Sequence, residues 1–269
     1  MKEQGAQIRF DDGAAYESFM GVWSQVAGER FLDWLKPAAG GRWVDVGCGN
    51  GAFTELLLER AGPAHVEGID PSDAQVAYAR ERLAGRPARF EVGDATALPY
   101  ADAGFDAAVM ALVIFFVPDP VKGVAEMARV VKPGGSVSAY AWDMLNGGFP
   151  YAAVLEELAT LGELLQPPSV EASRLENLRA LWAGAGLAEV ETCAFTVERS
   201  FSDFDAFWRI AQTGPRIAPR VTAMAAADRE RLKGRVRARC AVGADGRVDV
   251  GARVNAIKGR AAAFAAGKG

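Results

Sequence analysis

Between Arg42 and Tyr140, short runs of apolar, strand-forming residues alternate with stretches whose apolar positions recur at helical spacing. That rhythm predicts βαβ units on a parallel sheet. RWVDVG, HVEGID, ARFEVGD, FDAAVM and SVSAYAW are read as five successive strands. Helices are expected over AFTELLLERA, where Phe53, Leu56 and Leu57 fall at i, i+3 and i+4, and over SDAQVAYARERLA, with Ser72 or Asp73 as its cap. A third helix, VKGVAEMARVVK, should stop at Pro133-Gly134-Gly135. After Trp142 the pattern changes. NGGFP is a loop, Tyr151 to Leu165 and Ser173 to Ala185 are helices parted by the breaker PPS, and Val190 to Val197 is a strand. Asp203 to Cys240 is helical with breaks at Gly214-Pro215 and Pro219, and Arg253 to Ile257 is the last strand. Ahead of the sheet, Tyr16 to Leu35 carries Tyr16, Phe19, Met20, Trp23, Phe31, Trp34 and Leu35, so an apolar arm should pack onto the domain.

With 269 residues, half of them hydrophobic, the chain supports one large α/β domain or two small ones. Its net charge of −4 supplies no overall basic field for nucleic acid or an anionic membrane, which favours small-molecule partners. Cys48, Cys193 and Cys240 are odd in number, far apart and without zinc spacing, as suits reduced thiols. MKEQGAQIRFDDG has no apolar signal core, and no run reaches the length of a membrane span, so we expect a soluble, cytoplasmic protein without a metal.

The stretch VDVGCGNG, Val44 to Gly51, places glycines on alternate positions at the end of the first strand. Gly47 suits a sharp exit from the strand, Gly49 leaves no Cβ between backbone and ligand, and a helix start at Ala52 offers free N–H groups. Alone, Gly47 to Ala52 also fits the dinucleotide pattern G-x-G-x-x-A. Asp70 ends the second strand, where such folds bind ribose hydroxyls, and Asp94 ends the third, where its oxygens can accept from an adenine amine. Each carboxylate taken singly is also an ordinary cap or turn residue. Two carboxylates and no adjacent base suit an adenosine cofactor less anionic than NAD.

Taken in order and spacing, VDVGCGNG, GIDPS, GDATALPYADAGFDAAV, FVPDP and ARVVKPGG resemble the motif series of class I S-adenosylmethionine-dependent methyltransferases. The similarity is to the small-molecule branch that includes ubiquinone and menaquinone C-methyltransferases, over roughly residues 40–142. This resemblance implies a doubly wound, Rossmann-like, seven-stranded and mainly parallel sheet with an antiparallel last strand, an N-terminal helical arm and helical lid insertions. It divides a single domain, 1–269, into an arm (1–39), a cofactor-binding core (40–142), helical substrate-side segments (143–186 and 203–240) and the last strands (187–200 and 247–260). It also assigns S-adenosyl-L-methionine as cofactor and S-adenosyl-L-homocysteine as product. Gly47, Cys48, Gly49 and Gly51 would line the methionine portion, Asp70 the ribose, and Pro71 and Ser72 the nucleoside edge. Asp94 would meet the adenine with Ala95 and Thr96 beside it, and Ala111 and Leu112 would meet the methionine end through their backbone. Related members carry histidine where this chain has Phe115 or Phe116, so any role of that imidazole is missing.

Tyr16, Met20, Trp23 and Phe116 either close over the cofactor, with an aromatic face toward the sulfonium, or belong to the core. Methyl transfer from a sulfonium is an in-line displacement with an activated donor, so orientation and water exclusion carry much of the work. Where a base is required, Tyr140, Asp143 and Tyr151 after the fifth strand are candidates, each with an ordinary loop or core reading beside it. His65 opens the second strand, five residues at ~3.3 Å each from the ligand edge, and is set aside. The run RERLKGRVRAR, Arg229 to Arg239, reads as a solvated helix face or as a surface for an anionic acceptor or nucleic acid. Ala-Leu-Val-Ile stands where nucleic-acid methyltransferases have an Asn-Pro-Pro-Tyr-type loop, which disfavours nucleic acid. The rival readings are a non-catalytic cofactor-binding module and a nicotinamide-dependent oxidoreductase.

Overall fold

The central run Trp43–Val46 is buried at every position rather than at alternate ones, as a strand covered on both faces requires. In the computed structural model, which describes residues 17–262, it forms most of β1 (Arg42–Val46). Around it lie β2 (His65–Asp70), β3 (Ala88–Val92), β4 (Phe105–Ala111), β5 (Val131–Trp142), β6 (Ala188–Phe201) and β7 (Val248–Arg260). The order across the seven-stranded sheet is β3-β2-β1-β4-β5-β7-β6, and β7 runs antiparallel to both neighbours. β1 pairs in parallel with β2 through Val44↔Glu67 and with β4 through Val44↔Ala108, so the chain reverses its direction of travel across the sheet between them. This is the doubly wound fold expected from the sequence.

Helices α1 (Val22–Leu35), α2 (Ala52–Ala61), α3 (Asp73–Arg82) and α4 (Pro120–Val130) belong to this core. Right-handed crossovers moving outward from β1 and from β4 put α2 and α3 on one face and α4 on the other. Ser72 caps α3 by accepting from Gln75 N–H at 3.4 Å, and Asp119 caps α4 by accepting from Lys122 N–H at 3.0 Å, with Pro120 in its first turn. The arm packs its α1 against α2 and the β6/β7 edge. Among the described residues no helix is long and apolar enough to cross a membrane.

Several boundaries differ from expectation. α4 ends at Val130, and Pro133-Gly134-Gly135 lie inside β5, where the register jumps from Phe105↔Val131 to Ala107↔Ser136. An irregularity of that kind is where a strand tolerates proline. The helix expected to reach Leu165 is α5 (Ala152–Ala159), and the next is α6 (Leu175–Gly184), preceded by a 3₁₀ turn at Val170–Ser173. Asp203 to Cys240 resolves into α7 (Phe204–Ala211), α8 (Ala218–Ala223) and α9 (Ala226–Arg239); Pro219 starts α8 instead of breaking a helix. The last two strands are longer than their apolar cores because they pair with each other along their length, from Phe201↔Val248 to Ala188↔Arg260.

The basic run packs by its apolar stripe and keeps most of its cations on an exposed face, as expected: Arg231, Arg235, Arg237 and Arg239 are exposed. Leu232 and Val236 of α9 are buried, while Arg235 and Arg239 pair with Glu157 on α5 and Lys233 with Asp205 on α7. Glu157 is the receiving group, and Arg239 and Arg235 hold its carboxyl below the usual range.

Candidate functional site

At the carboxyl ends of β1, β2 and β4 the backbone is stitched into a cleft. Gly47 and Cys48 N–H both donate to the Ile69 carbonyl, at 2.7 and 3.0 Å, which ties the glycine turn to the end of β2. Asp70 completes the stitch: its carboxylate accepts from Gly49 N–H and from Ser72 N–H, each at 2.9 Å. Gly47 has φ +78°, and a Cβ there would lie 2.4 Å from Val113 Cγ1. Gly49, at φ +51°, meets nothing nearer than Gln75 Oε1 at 4.0 Å, so its backbone faces open space that a ligand can enter.

The resulting cleft has a volume of about 1100 Å³. It brings together Gly47, Cys48, Gly49, Asp70, Pro71, Ser72, Asp94, Ala95, Ala111, Leu112, Phe116 and Tyr140 from the sequence-predicted set. A cavity of this size at the switch point of a doubly wound sheet is where such folds bind nucleosides. Residues 44–139 match the family model described as "Methyltransferase domain". A demethylmenaquinone methyltransferase of Desulfitobacterium hafniense (strain Y51) is 41% identical over 99 residues, 35% of this chain and 39% of the relative. A malonyl-[acyl-carrier protein] O-methyltransferase of Erwinia pyrifoliae is 30% identical over 176 residues, 65% of this chain and 62% of the relative. Among solved structures, Haemonchus contortus phosphoethanolamine N-methyltransferase 2 in complex with S-adenosyl-L-methionine superposes with a TM-score of 0.60 at 19% identity, covering 98% of this chain and 62% of that one, a likeness of fold.

Residues 44–139 carry a methyltransferase domain of the class I S-adenosylmethionine-dependent type. The chain spans less than two thirds of the length of the curated relatives it matches.

The cleft has room and polar groups for a nucleoside. An ionised carboxylate has about four acceptor positions, and Asp70 spends two on the backbone, leaving acceptors for a diol. Burial raises the pKa of Asp70, and the two N–H donors oppose that rise. The open approach at Gly49 leaves its backbone accessible to a ligand. Leu112, at the end of β4, holds the left-handed value φ +63° while its N–H donates to the Tyr140 carbonyl at 2.8 Å, the kind of backbone strain that collects at functional sites.

Other predicted residues lie elsewhere. Gly51 caps α2 and packs toward Ala79 rather than lining the cleft. Thr96 donates its N–H to Asp94 Oδ1 at 2.7 Å and stays outside the cavity. Trp23 is 1% exposed, donates Nε1–H to Tyr151 at 3.2 Å and meets Trp142 edge-on, so it is core. Tyr16 lies outside the described residues. Of the three candidate bases, only Tyr140 faces the cleft, packed against Phe31 and Phe53. Asp143 does not line the cleft; it accepts from Asn146 Nδ2 at 2.8 Å and sits 3.4 Å from Arg253 Nε, fixing its own loop. Tyr151 is also spent structurally: its hydroxyl donates to the Phe19 carbonyl at 2.8 Å and accepts from Trp23, and burial pushes its pKa up to about 12. Burial likewise pushes the Cys48 thiol up, aided by Asp45 and Asp70, which keeps it protonated and inert.

Met20 lines a second, apolar pocket of about 50 Å³ beside the cleft, walled by Phe19, Phe115, Trp142, Met144, Phe149 and Pro215 among others. Leu112 and Phe116 belong to both cavities. Sequence reasoning missed this pocket, and it missed Ser24, Asn50, Phe53, Gln75 and Gln166 in the cleft wall.

It also missed Asp45, fully buried within β1, whose carboxyl accepts from the Thr54 hydroxyl at 2.6 Å. Burial pushes its pKa from 3.8 up to about 7, Thr54 opposes the rise, and the charge of Asp70 adds to it. Since the folded value lies above the unfolded one, folding takes up a proton between these two limits. Stability from this group therefore falls as pH rises from about 4 through 7, by at most ~1.4 kcal/mol per unit. Asp45→Asn keeps an acceptor for Thr54 and removes the titration. Urea midpoints of the variant should gain on the wild type as pH climbs through that window and run parallel above it; profiles parallel throughout would exclude the assignment.

Proposed function

We propose that this domain transfers a methyl group from S-adenosylmethionine to a small, largely apolar acceptor seated in the aromatic pocket. The observation that carries the reading is the wall shared by a polar-edged nucleoside cleft and an apolar pocket, with Leu112 and Phe116 in both. Bound there, S-adenosylmethionine supplies an activated methyl on a sulfonium and leaves as S-adenosylhomocysteine. Asp70 takes the ribose hydroxyls, Asp94 accepts from the adenine amine, and the Gly47–Gly49 turn with the Ala111–Leu112 backbone holds the methionine end. Phe116 and Leu112 keep water from the junction, so the chain contributes alignment and desolvation more than acid–base chemistry.

The pocket draws Phe19 and Met20 from the arm, Phe149 and Leu155 from residues 143–186, and Pro215 and Ile217 from residues 203–240. This supports a division of labour in which the core binds cofactor and the added segments select the acceptor. The two relatives' names specify demethylmenaquinone and malonyl-[acyl-carrier protein], so relatedness alone selects no acceptor. Calorimetry on the full chain with S-adenosylmethionine, S-adenosylhomocysteine and NAD should give heats for the two sulfur compounds and none for NAD. Binding of NAD without the others would replace this reading with an oxidoreductase. Cofactor binding with no homocysteine-product release across a broad acceptor screen would favour a binding module.

A further inference from the structure

The apolar pocket contains one charged side chain. Arg216, between α7 and α8, lines it among aromatic and aliphatic residues, and among the described residues it makes no ion pair. Its hydrogen bonds are to neutral groups of the segment that closes the pocket: Nε–H donates to the Leu165 carbonyl and Nη2–H to Gln166 Oε1, both at 2.7 Å. These two bonds occupy one edge of the guanidinium. The other edge, formed by Nη1 and the second Nη2 hydrogen, has no protein acceptor among the described residues, and that edge can grip an oxyanion with two parallel N–H bonds. Burial alone pulls the pKa of Arg216 below the usual guanidinium value, with no carboxylate opposing it. The nearby Arg220 differs: it also binds backbone carbonyls, Glu163 and Leu161, but lines neither cavity.

We propose that the methyl acceptor is an apolar acid, a compact hydrophobic or aromatic body bearing one oxyanion, and that Arg216 receives the oxyanion through its Nη1/Nη2 edge. This rests on the methyltransferase reading above and specifies its substrate class. Arg216 is part-buried in a largely apolar wall, so the pocket favours a ligand that brings a counter-charge to its open edge. A volume of about 50 Å³, on a scale where one water needs about 10–15 Å³, admits the anionic end of such an acceptor with a few neighbouring atoms, a fragment smaller than a ring. Leu112 and Phe116 place that fragment's other end against the cofactor cleft. Gln166 and Leu165 also line the cleft or its rim, so one side chain joins the acceptor's anion to the wall of the cofactor site.

The test uses the full chain saturated with S-adenosylhomocysteine, and binding of that compound is measured first. Failure to bind it would remove the methyltransferase reading itself. Calorimetry then compares 4-hydroxybenzoate with 4-hydroxybenzamide, octanoate with octanamide, and phenyl phosphate with phenol. Each anion should bind at least about tenfold more tightly than its neutral mate, and the tighter of the carboxylate and phosphate classes names the oxyanion. In Arg216→Met the anion preference should collapse to about one, and in Arg216→Lys, which keeps charge but not the fork, it should fall between. The preference ratio separates this role from merely holding Leu165 and Gln166, because a loosened wall weakens both mates alike. Equal affinity of acid and neutral mate for the wild type, a preference that survives Arg216→Met, or no binding of any anion while S-adenosylhomocysteine binds normally would each overturn the proposal.

Discussion

Gly47→Ala is expected to abolish cofactor binding and lower the melting temperature. Two independent costs converge at this residue. Its φ of +78° lies in the left-handed region, which carries about 1–2 kcal/mol for any residue with a Cβ. The added carbon would also lie 2.4 Å and 2.5 Å from the two Cγ atoms of Val113 and 3.0 Å from its Cβ. Valine is stiff at χ1, and Val113 is held in place because its carbonyl accepts from Phe116 N–H at 2.7 Å. Relief must then come from the turn, which is what the Ile69 carbonyl and Asp70 hold in position. Calorimetry with S-adenosylhomocysteine should show affinity reduced by about a hundredfold or more, since a shift of one ångström in a binding backbone removes its hydrogen bonds. Adding Val113→Ala deletes the two shortest contacts but not the backbone strain, so the double variant should recover part of the loss, and the coupling is read from the cycle. Wild-type affinity in Gly47→Ala would show that this turn does not shape the cofactor site.

The glycine turn was legible because it ends a run buried on both faces, and its acidic partners because Asp70 and Asp94 fall at the ends of the next two strands. Such runs are continuously apolar, and their interruptions mark the sheet edge where ligands bind. Asp45 broke that rule from within: a carboxylate in the middle of RWVDVG, with Thr54 nine residues on, signals a buried pair, but a strand read only for its apolar content hides it. Strand β5 began earlier than expected because Pro133-Gly134-Gly135 has the chemistry of a helix stop, and here that chemistry serves a strand irregularity instead. The charges of Arg229 to Arg239 marked an exposed face, but their acidic partners, Glu157 and Asp205, lie far away in sequence and were not legible. Distance in sequence also concealed the apolar pocket. Phe19, Leu112, Phe149 and Arg216 come from four separate segments, and no periodicity within any one of them reports that they converge. Tyr151 shows the same limit at one residue: placement after the fifth strand was correct, and only the bonds to Trp23 and Phe19 reveal that its hydroxyl is already committed.

Asp70→Ala should weaken S-adenosylhomocysteine binding by a factor of about 30 or more while leaving the chain folded. The carboxylate acts twice. Its spare acceptors face the cleft, where each charge-assisted hydrogen bond to a ribose hydroxyl contributes about 1.5–3 kcal/mol. Its other contacts hold Gly49 N–H and Ser72 N–H at 2.9 Å, so removal also frees the glycine turn and leaves two donors to water. Asp70→Asn separates these roles. An amide offers one oxygen, which can keep either Gly49 or Ser72 but not both, and its NH₂ faces the remaining N–H with the wrong polarity. If the ribose contact dominates, Asn should retain a measurable part of the affinity through donation to a hydroxyl, and binding to S-adenosylhomocysteine should fall much further than binding to homocysteine, which lacks the ribose. If the backbone stitch dominates, both variants should lose the two ligands in parallel. Affinity unchanged in Asp70→Ala would reject the ribose assignment and the stitch together, because the same two oxygens serve both.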